Sequence, residues 1–152
     1  MTWKECQYLA GTLTGGVARL ALIDPEGRPA LLPLNYAMVE GDLVVRTADE
    51  VVVEAAEARA NVGVLIDAAS PDGQRLAWRV LAQGPIRSAG EDDLVDWSGK
   101  SATAELPPVA GEHYLRINPE VLTGTRYLLP DASGMDTLRS PGETMAATIT
   151  SI

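Results

Sequence analysis

The chain has 152 residues, of which 46% are hydrophobic, with 14 glycines, 10 prolines and no phenylalanine. This length suits one domain packed by aliphatic side chains, and the scattered Gly and Pro exclude a long helical bundle. The formal net charge of −9 repels phosphate backbones and anionic lipids, so we expect no nucleic acid and no membrane as partner.

The chain has a single cysteine, Cys6, and a single histidine, His113. One cysteine excludes an internal disulfide, and so few soft ligands predict that no metal is bound. We interpret Cys6 as a small buried hydrophobe on a helix. The opening residues, Met1 to Glu5, lack the apolar region of a signal peptide, and no apolar run reaches the length of a membrane span. We therefore expect a cytoplasmic protein.

The first third of the chain predicts one helix and three strands. Apolar residues at helical spacing predict a short helix over 3–13, with Thr2 and Glu5 spaced as a capping box. Strands follow at 17–23, 29–39 and 43–47, and their short turns predict an antiparallel meander. Pro33 interrupts the second strand, which favours an edge or a bulge over a central ladder position.

The remainder predicts further strands separated by helical inserts and turns. An Ala-rich and Glu-rich stretch favours a helix over 49–60, and an acidic start favours another over 90–99. The predicted strands are 61–68, 75–88, 113–118 and 124–129. Six or seven antiparallel strands with two or three short helices predict a mainly β chain closed into a small barrel over 1–130. Residues 131–152 lose hydrophobic periodicity and are predicted to be a weakly ordered tail.

Several short motifs follow one another in a specific order over residues 3–129. They are VARLA (17–21), DPEGRP (24–29), LPLNY (32–36), GDL (41–43), VRTA (45–48), AWRVLAQG (77–84), YLRINP (114–119) and GTR (124–126). In this order they resemble the pyridoxamine 5′-phosphate oxidase-like, flavin-binding family. The resemblance implies a split β-barrel homodimer with FMN in a groove between the subunits.

The resemblance also implies which residues meet the cofactor. The backbone around Pro33 would supply donors and acceptors along one edge of the flavin ring. Arg46 and Thr47 would hold the phosphate or the ribityl chain, Arg46 by its guanidinium fork. The expected cofactor-binding residues are Pro33, Asn35, Tyr36, Arg46, Thr47, Trp78 and Arg79.

Four of these residues also have a structural interpretation. Arg46 is equally compatible with an exposed strand residue paired with Asp49 or Glu50. Tyr36 and Trp78 are, by default, aromatics of the core or of a dimer interface. Arg79 stands where the family has a small residue, so it either supplies a cation or fills the slot.

The chain departs from the family at the expected phosphate grip. Typical members carry a glycine and then a lysine after the arginine-threonine pair, and here those positions correspond to Glu50 and Val52. Losing that lysine predicts weaker FMN binding, which a Val52→Lys substitution would restore. A charged hydrogen bond contributes about 1.5–3 kcal/mol, or roughly tenfold or more in affinity.

Three functions therefore stay open. The first is an FMN-dependent oxidoreductase acting on a small organic substrate. The second is a barrel that has lost the flavin and uses the slot to bind or convert a hydrophobic metabolite without a cofactor. The third is a non-catalytic dimeric binding module. The Val51-Val52-Val53 run favours the last two, while the segments around Pro33 and Arg46 favour the first.

Overall fold

The computed structural model describes residues 1–12, 16–70 and 74–130. The predicted tail at 131–152 and the predicted turn at 70–73, apart from Ser70, lie outside the described residues. Within them the chain forms a mainly β domain, as the sequence predicts. Its elements are α1 (Trp3–Thr12), β1 (Val17–Ile23), β2 (Pro29–Val39), β3 (Asp42–Thr47), α2 (Glu50–Glu57), β4 (Asn61–Ala69), β5 (Leu76–Ser88), β6 (His113–Ile117) and β7 (Val121–Leu128), with two 3-10 turns at Glu91–Leu94 and Ala102–Ala104.

Six of the seven described strands close into an antiparallel barrel. The strands follow the order β4-β1-β2-β3-β6-β5, and the pairing of β5 with β4 closes the ring. The seventh strand, β7, pairs with β5 alone among the described strands. The predicted meander of β1, β2 and β3 is confirmed, and so is the split-barrel fold.

The barrel forms because its strands alternate apolar and exposed positions. In β1, Ala18, Leu20 and Leu22 point inward and are buried, while their neighbours are more exposed. Inward side chains of the other strands meet them, with Val64 and Val80 among the most buried. This aliphatic core compensates for the absence of phenylalanine.

Helix α1 packs against the barrel and begins with the predicted capping box. The amide of Thr2 donates to the Glu5 carboxylate at 2.6 Å, and the amide of Glu5 donates to the Thr2 hydroxyl at 3.3 Å. Cys6 is fully buried, which confirms its interpretation as a core residue. A Cβ on Gly124 of β7 would lie 2.7 Å from the Cys6 Sγ, so this glycine lets the helix approach the sheet.

A second, smaller apolar cluster lies outside the barrel. Val39 and Val44, on the outer faces of β2 and β3, pack with Leu94 and Leu106 from the segment between β5 and β6. The predicted helix over 90–99 is wrong. Only Glu91–Leu94 forms a 3-10 turn, and the backbone then extends at Val95, which bridges to Ser101 around a turn.

That turn explains the difference from the sequence expectation. The Asp96 carboxylate accepts hydrogen bonds from the amides of Ser98 and Lys100 at 2.8 and 2.9 Å. Such local side-chain bonds compete with helical ones and favour turns.

Across residues 1–12, 16–70 and 74–130, no helix is long and apolar enough to cross a membrane. The same residues contain no group of three or more His, Cys, Asp or Glu side chains arranged to hold a metal ion.

Candidate functional site

The barrel opens where β2 exchanges one neighbour for another. Residues 29–35 of β2 pair with β1, and residues 36–39 pair with β3, the junction lying at Tyr36↔Val45. Beyond that pair, β3 continues with β6 through Arg46↔Tyr114 and Thr47↔His113. The edges of β2 and β3 therefore separate beyond this pair. We call the opening between them, bordered by Pro33, Asn35, Arg46 and Thr47, the split.

Pro33 suits this position because its backbone has no N–H to donate. It pairs with Arg19 on β1, while none of the described strands pairs with its other edge. The register runs unbroken from Val17↔Asn35 to Ile23↔Pro29, so β2 contains no bulge here. Of the two alternatives raised by the proline, the edge is confirmed and the bulge is wrong.

The guanidinium of Arg46 already contacts a carboxylate of the same chain. Its Nε lies 2.5 Å from a carboxylate oxygen of Glu112, and its Nη1 donates to the carbonyl of Pro107. Both side chains are largely buried, with 18% and 27% exposure. The alternative of an exposed strand residue paired with Asp49 or Glu50 is wrong, because the ladder between β3 and β6 brings the segment before β6 to Arg46 instead.

Backbone amides at the start of α2 already have hydrogen-bond partners within the chain. The Thr47 hydroxyl accepts from the amide of Asp49 at 3.0 Å, and the Asp49 carboxylate caps the amide of Val51 at 3.0 Å. Glu50, which follows, is exposed. A phosphate at this helix end would have to displace one cap and would face two carboxylates, so this part of the predicted grip does not fit a phosphate dianion.

The position of Val52 contradicts the expectation that this residue faces the phosphate grip. Its side chain is fully buried in the barrel core together with Ala55 and Ala56 of the same helix. A lysine at 52 would carry its ammonium into that core rather than into an open grip. The Val52→Lys substitution is therefore a poor way to restore a phosphate contact.

Tyr36 lies at the junction, but its side chain points into the barrel. It is fully buried, and its hydroxyl donates to the carbonyl of Ala10 in α1 at 2.6 Å. Burial raises the pKa of this phenol well above its ordinary value. The side chain ties α1 to the barrel, and only its backbone borders the split.

Trp78 and Arg79 lie on β5, three strands from β2 in the barrel order. Trp78 is buried in the barrel core. Arg79 points to the outer face, with its guanidinium 4.7 Å from the ring centre of Tyr127 and 3.2 Å from that residue's hydroxyl. One chain does not bring these two residues to the split, and their roles at a cofactor remain predictions.

Sequence reasoning missed Glu112. Nothing around it forms a motif, and it lies far from Arg46 along the chain. Its position follows from the register of β6 against β3, in which Thr47 pairs with His113, the residue after Glu112. Only the strand pairing could have indicated it.

The family of pyridoxamine 5′-phosphate oxidase matches residues 3–126, which include α1 and all seven strands down to Arg126. The chain belongs to this family. No curated protein matches the sequence.

Solved structures confirm the fold at low sequence identity. An FAD-binding protein from Mycobacterium smegmatis is 22% identical with a TM-score of 0.63, over 84% of this chain and 98% of its own. An FAD-binding protein from Mesorhizobium loti is 23% identical with a TM-score of 0.62, over 83% and 93%. A heme-binding protein from Mycobacterium smegmatis is 15% identical with a TM-score of 0.59, over 83% and 57%. At these identities the likeness establishes the fold alone.

Proposed function

We propose that this protein binds a flavin at the split and acts as an oxidoreductase on a small organic substrate. Membership of the pyridoxamine 5′-phosphate oxidase family supports a flavin, as do the two FAD-binding proteins that share the fold. A bound flavin supplies the hydride chemistry, and the protein supplies binding, orientation and electrostatics.

The observation that carries the proposal is the anion held by Arg46. The Arg46 guanidinium is fixed on a strand at the split and contacts a carboxylate through Nε while Nη1 donates to the Pro107 carbonyl, so it supplies the positive charge that a phosphate needs. We propose that the flavin's phosphate takes the place of the Glu112 carboxylate. The backbone edge of β2 at Pro33, with which none of the described strands pairs, would then face the polar edge of the ring.

This arrangement differs from the family's grip. The start of α2 is capped by Asp49 and carries Glu50, so Arg46 is the group of the split that fits a phosphate. Glu112 becomes a built-in competitor, because one guanidinium fork cannot serve two anions equally. We therefore expect FMN to bind more weakly than Arg46 alone would allow.

We also propose that the site is completed by a second copy of the chain. The outer face of β1 and β2 exposes Val17, Ile23 and Leu31 by 57%, 65% and 68%. In the strand register Leu31 stands opposite Ala21 and next to Ile23, so these side chains form one apolar surface, which Arg19 separates from Val17. A two-fold axis would cover such a surface with its own copy.

The flavin proposal is tested by spectra and titrations. The absorbance of freshly purified protein reports any bound flavin. Quenching of flavin fluorescence is then measured with FMN and riboflavin, for wild type, Glu112→Gln and Glu105→Gln. Glu105 is the matched control, since its carboxylate lies in the same loop but pairs with Lys100 at 3.2 Å.

We expect Glu112→Gln to tighten FMN binding by roughly tenfold and to leave riboflavin unchanged, because riboflavin has no phosphate. Glu105→Gln should change neither. Equal gains for FMN and riboflavin would contradict the role of Glu112. Failure of all three proteins to bind any flavin would contradict the flavin proposal itself.

The dimer is tested by light scattering of wild type, Leu31→Asp and Val109→Asp. Burying an aspartate at a two-fold interface places two uncompensated charges there, so Leu31→Asp should give a monomer near 16.1 kDa. Val109, 46% exposed in the loop before β6, is the control and should remain dimeric. A monomeric wild type at micromolar concentration would contradict the proposal.

The start of α2 favours a second candidate, a split barrel without flavin that binds a hydrophobic metabolite. Asp49 and Thr47 already occupy amides that a phosphate would use, and Asp49 and Glu50 add negative charge. Binding of an uncharged apolar dye that Asn35→Ala weakens, together with no flavin binding, would support this candidate over the first.

A further inference from the structure

A small cleft lies away from the split, between α2, β5 and the end of β6. It encloses about 250 Å³ and is lined by Asp42, Arg59, Pro85, Ile86, Arg87 and Asn118. Asp42 begins β3, whereas Thr47 at the other end of that strand borders the split. The cleft is thus a separate feature of the fold.

The charges in this cleft leave one cation without an ionic partner among the described residues. Arg87 donates two hydrogen bonds to the Asp93 carboxylate at 2.8 and 2.9 Å. Both oxygens of Asp42 are satisfied, one by Arg116 at 2.7 Å and the other by Asn118 at 2.8 Å. Arg59 makes no ion pair with any carboxylate of the described residues, although the whole chain carries 21 acidic residues against 12 basic ones.

Arg59 also occupies a backbone conformation that favours glycine. It follows the C-cap of α2 with φ of 50°, its amide donates to the carbonyl of Ala56, and the next amide, of Ala60, donates to that of Ala55. These two bonds end a helix in the Schellman manner, in which glycine is the usual residue at the left-handed position. Helix termination alone would thus be served better by glycine, which points to a use for the guanidinium.

We propose that this cleft binds a small ligand through an oxyanion, a carboxylate or a phosphate group, held by Arg59. The other guanidiniums beside the cleft, those of Arg87 and Arg116, are already engaged by the carboxylates of Asp93, Asp42 and, at 3.9 Å, Glu40. Arg59 is therefore the cation of the cleft that an incoming anion meets. The guanidinium fork suits two oxygens at once. Arg87 and Asn118, held rigidly by Asp93 and Asp42, form the wall against which the ligand rests.

The test follows backbone amide resonances during titration with sodium acetate and, separately, with inorganic phosphate, at constant ionic strength. Wild type is compared with Arg59→Gly and with Lys4→Ala. Lys4, exposed on α1, is the matched control for the loss of one positive charge. Thermal midpoints of all three proteins are measured as well.

We expect saturable shifts confined to residues of the cleft, and the anion that gives the tighter curve identifies the class. Arg59→Gly should weaken binding at least tenfold while its thermal midpoint stays equal or rises by a few degrees, because glycine suits the left-handed position. Lys4→Ala should bind as wild type does. Unsaturable shifts spread over the surface, equal losses in both variants, or unchanged binding in Arg59→Gly would each overturn the proposal.

Discussion

Two strands of the barrel, β2 and β5, exchange one neighbouring strand for another along their length, and the two exchange points are built differently. At one, β5 leaves β7 after Gln83↔Val121 and joins β6 at Ile86↔Ile117. At the other, β2 leaves β1 and joins β3 next to the split. The first place is sealed by backbone contact and the second is left open, so the same topological event provides stability in one case and a candidate site in the other.

The seal consists of the connection between β6 and β7. The amide of Asn118 donates to the carbonyl of Pro85 at 3.2 Å, and that of Glu120 donates to the carbonyl of Gln83 at 2.8 Å. Gly84 lies between them with no side chain to obstruct the crossing chain. At the split, the register between β2 and β3 ends at Tyr36↔Val45.

Gly84→Ala should break the seal and give the largest effect. An added Cβ would lie 1.9 Å from the Asn118 carbonyl oxygen, and backbone on both sides cannot move aside cheaply. We expect the free energy of unfolding to fall by about 3 kcal/mol or more, measured by urea denaturation. Gly63→Ala on β4 is the control, since its Cβ would meet the nearest atom at 3.8 Å. A stable Gly84→Ala protein would mean that the crossing is not sealed.

Val52→Lys tests whether α2 presents its third residue to the core or to the split. Burying an ammonium among aliphatic side chains should lower the free energy of unfolding by about 2–4 kcal/mol. Val53→Lys, on the partly exposed side of the helix, should cost less than about 1 kcal/mol. If Val52→Lys were stable and bound FMN more tightly, the family's lysine grip would be intact in this fold.

The stability of the region next to this seal, where Arg87 pairs with Asp93, should also depend on pH. Two hydrogen bonds from Arg87 hold the pKa of Asp93 below its usual range, and the same pair raises the pKa of Arg87. Because the folded-state pKa of Asp93 is depressed, its stabilising effect is complete above an unfolded value of about 3.9 and is lost as the pH falls below it.

We expect Asp93→Asn to lower the free energy of unfolding by about 1–2 kcal/mol at pH 7, with the difference from wild type shrinking between about pH 5 and 2. The exposed neighbour Asp92→Asn should follow wild type at every pH. A difference that stayed constant with pH would show that the Asp93 charge does not contribute.

The smallest effects on stability should come from the split. Asn35→Ala removes an exposed side chain at the open edge, so unfolding should change by less than about 0.5 kcal/mol while ligand binding weakens. Tyr36→Phe, one residue on, removes the buried hydrogen bond to Ala10 and should cost about 1 kcal/mol without changing binding. The opposite pattern in these two variants would make the split structural and the tyrosine functional.

The sequence alone determined the strands of the barrel and their order along the chain. The alternation of Ala18, Leu20 and Leu22 with more exposed neighbours predicts a strand with one buried face, whichever strand it pairs with. Pro33 predicts an unpaired strand edge because it has no N–H to donate. Glu5 following Thr2 fixes the start of α1 by a bond within one turn. These are local effects, so a local pattern carries them.

Tertiary structure decided which side chains meet. The register of β3 with β6 places Glu112 next to Arg46. Val52 is buried because that side of α2 packs against the barrel. The helix predicted at 90–99 does not form, because the Asp96 carboxylate accepts a hydrogen bond from the Lys100 amide and stabilises a turn. Leu94 and Leu106 pack on the outer face of β3. Contacts between residues distant in sequence depend on register and packing, and neither is encoded in any single segment.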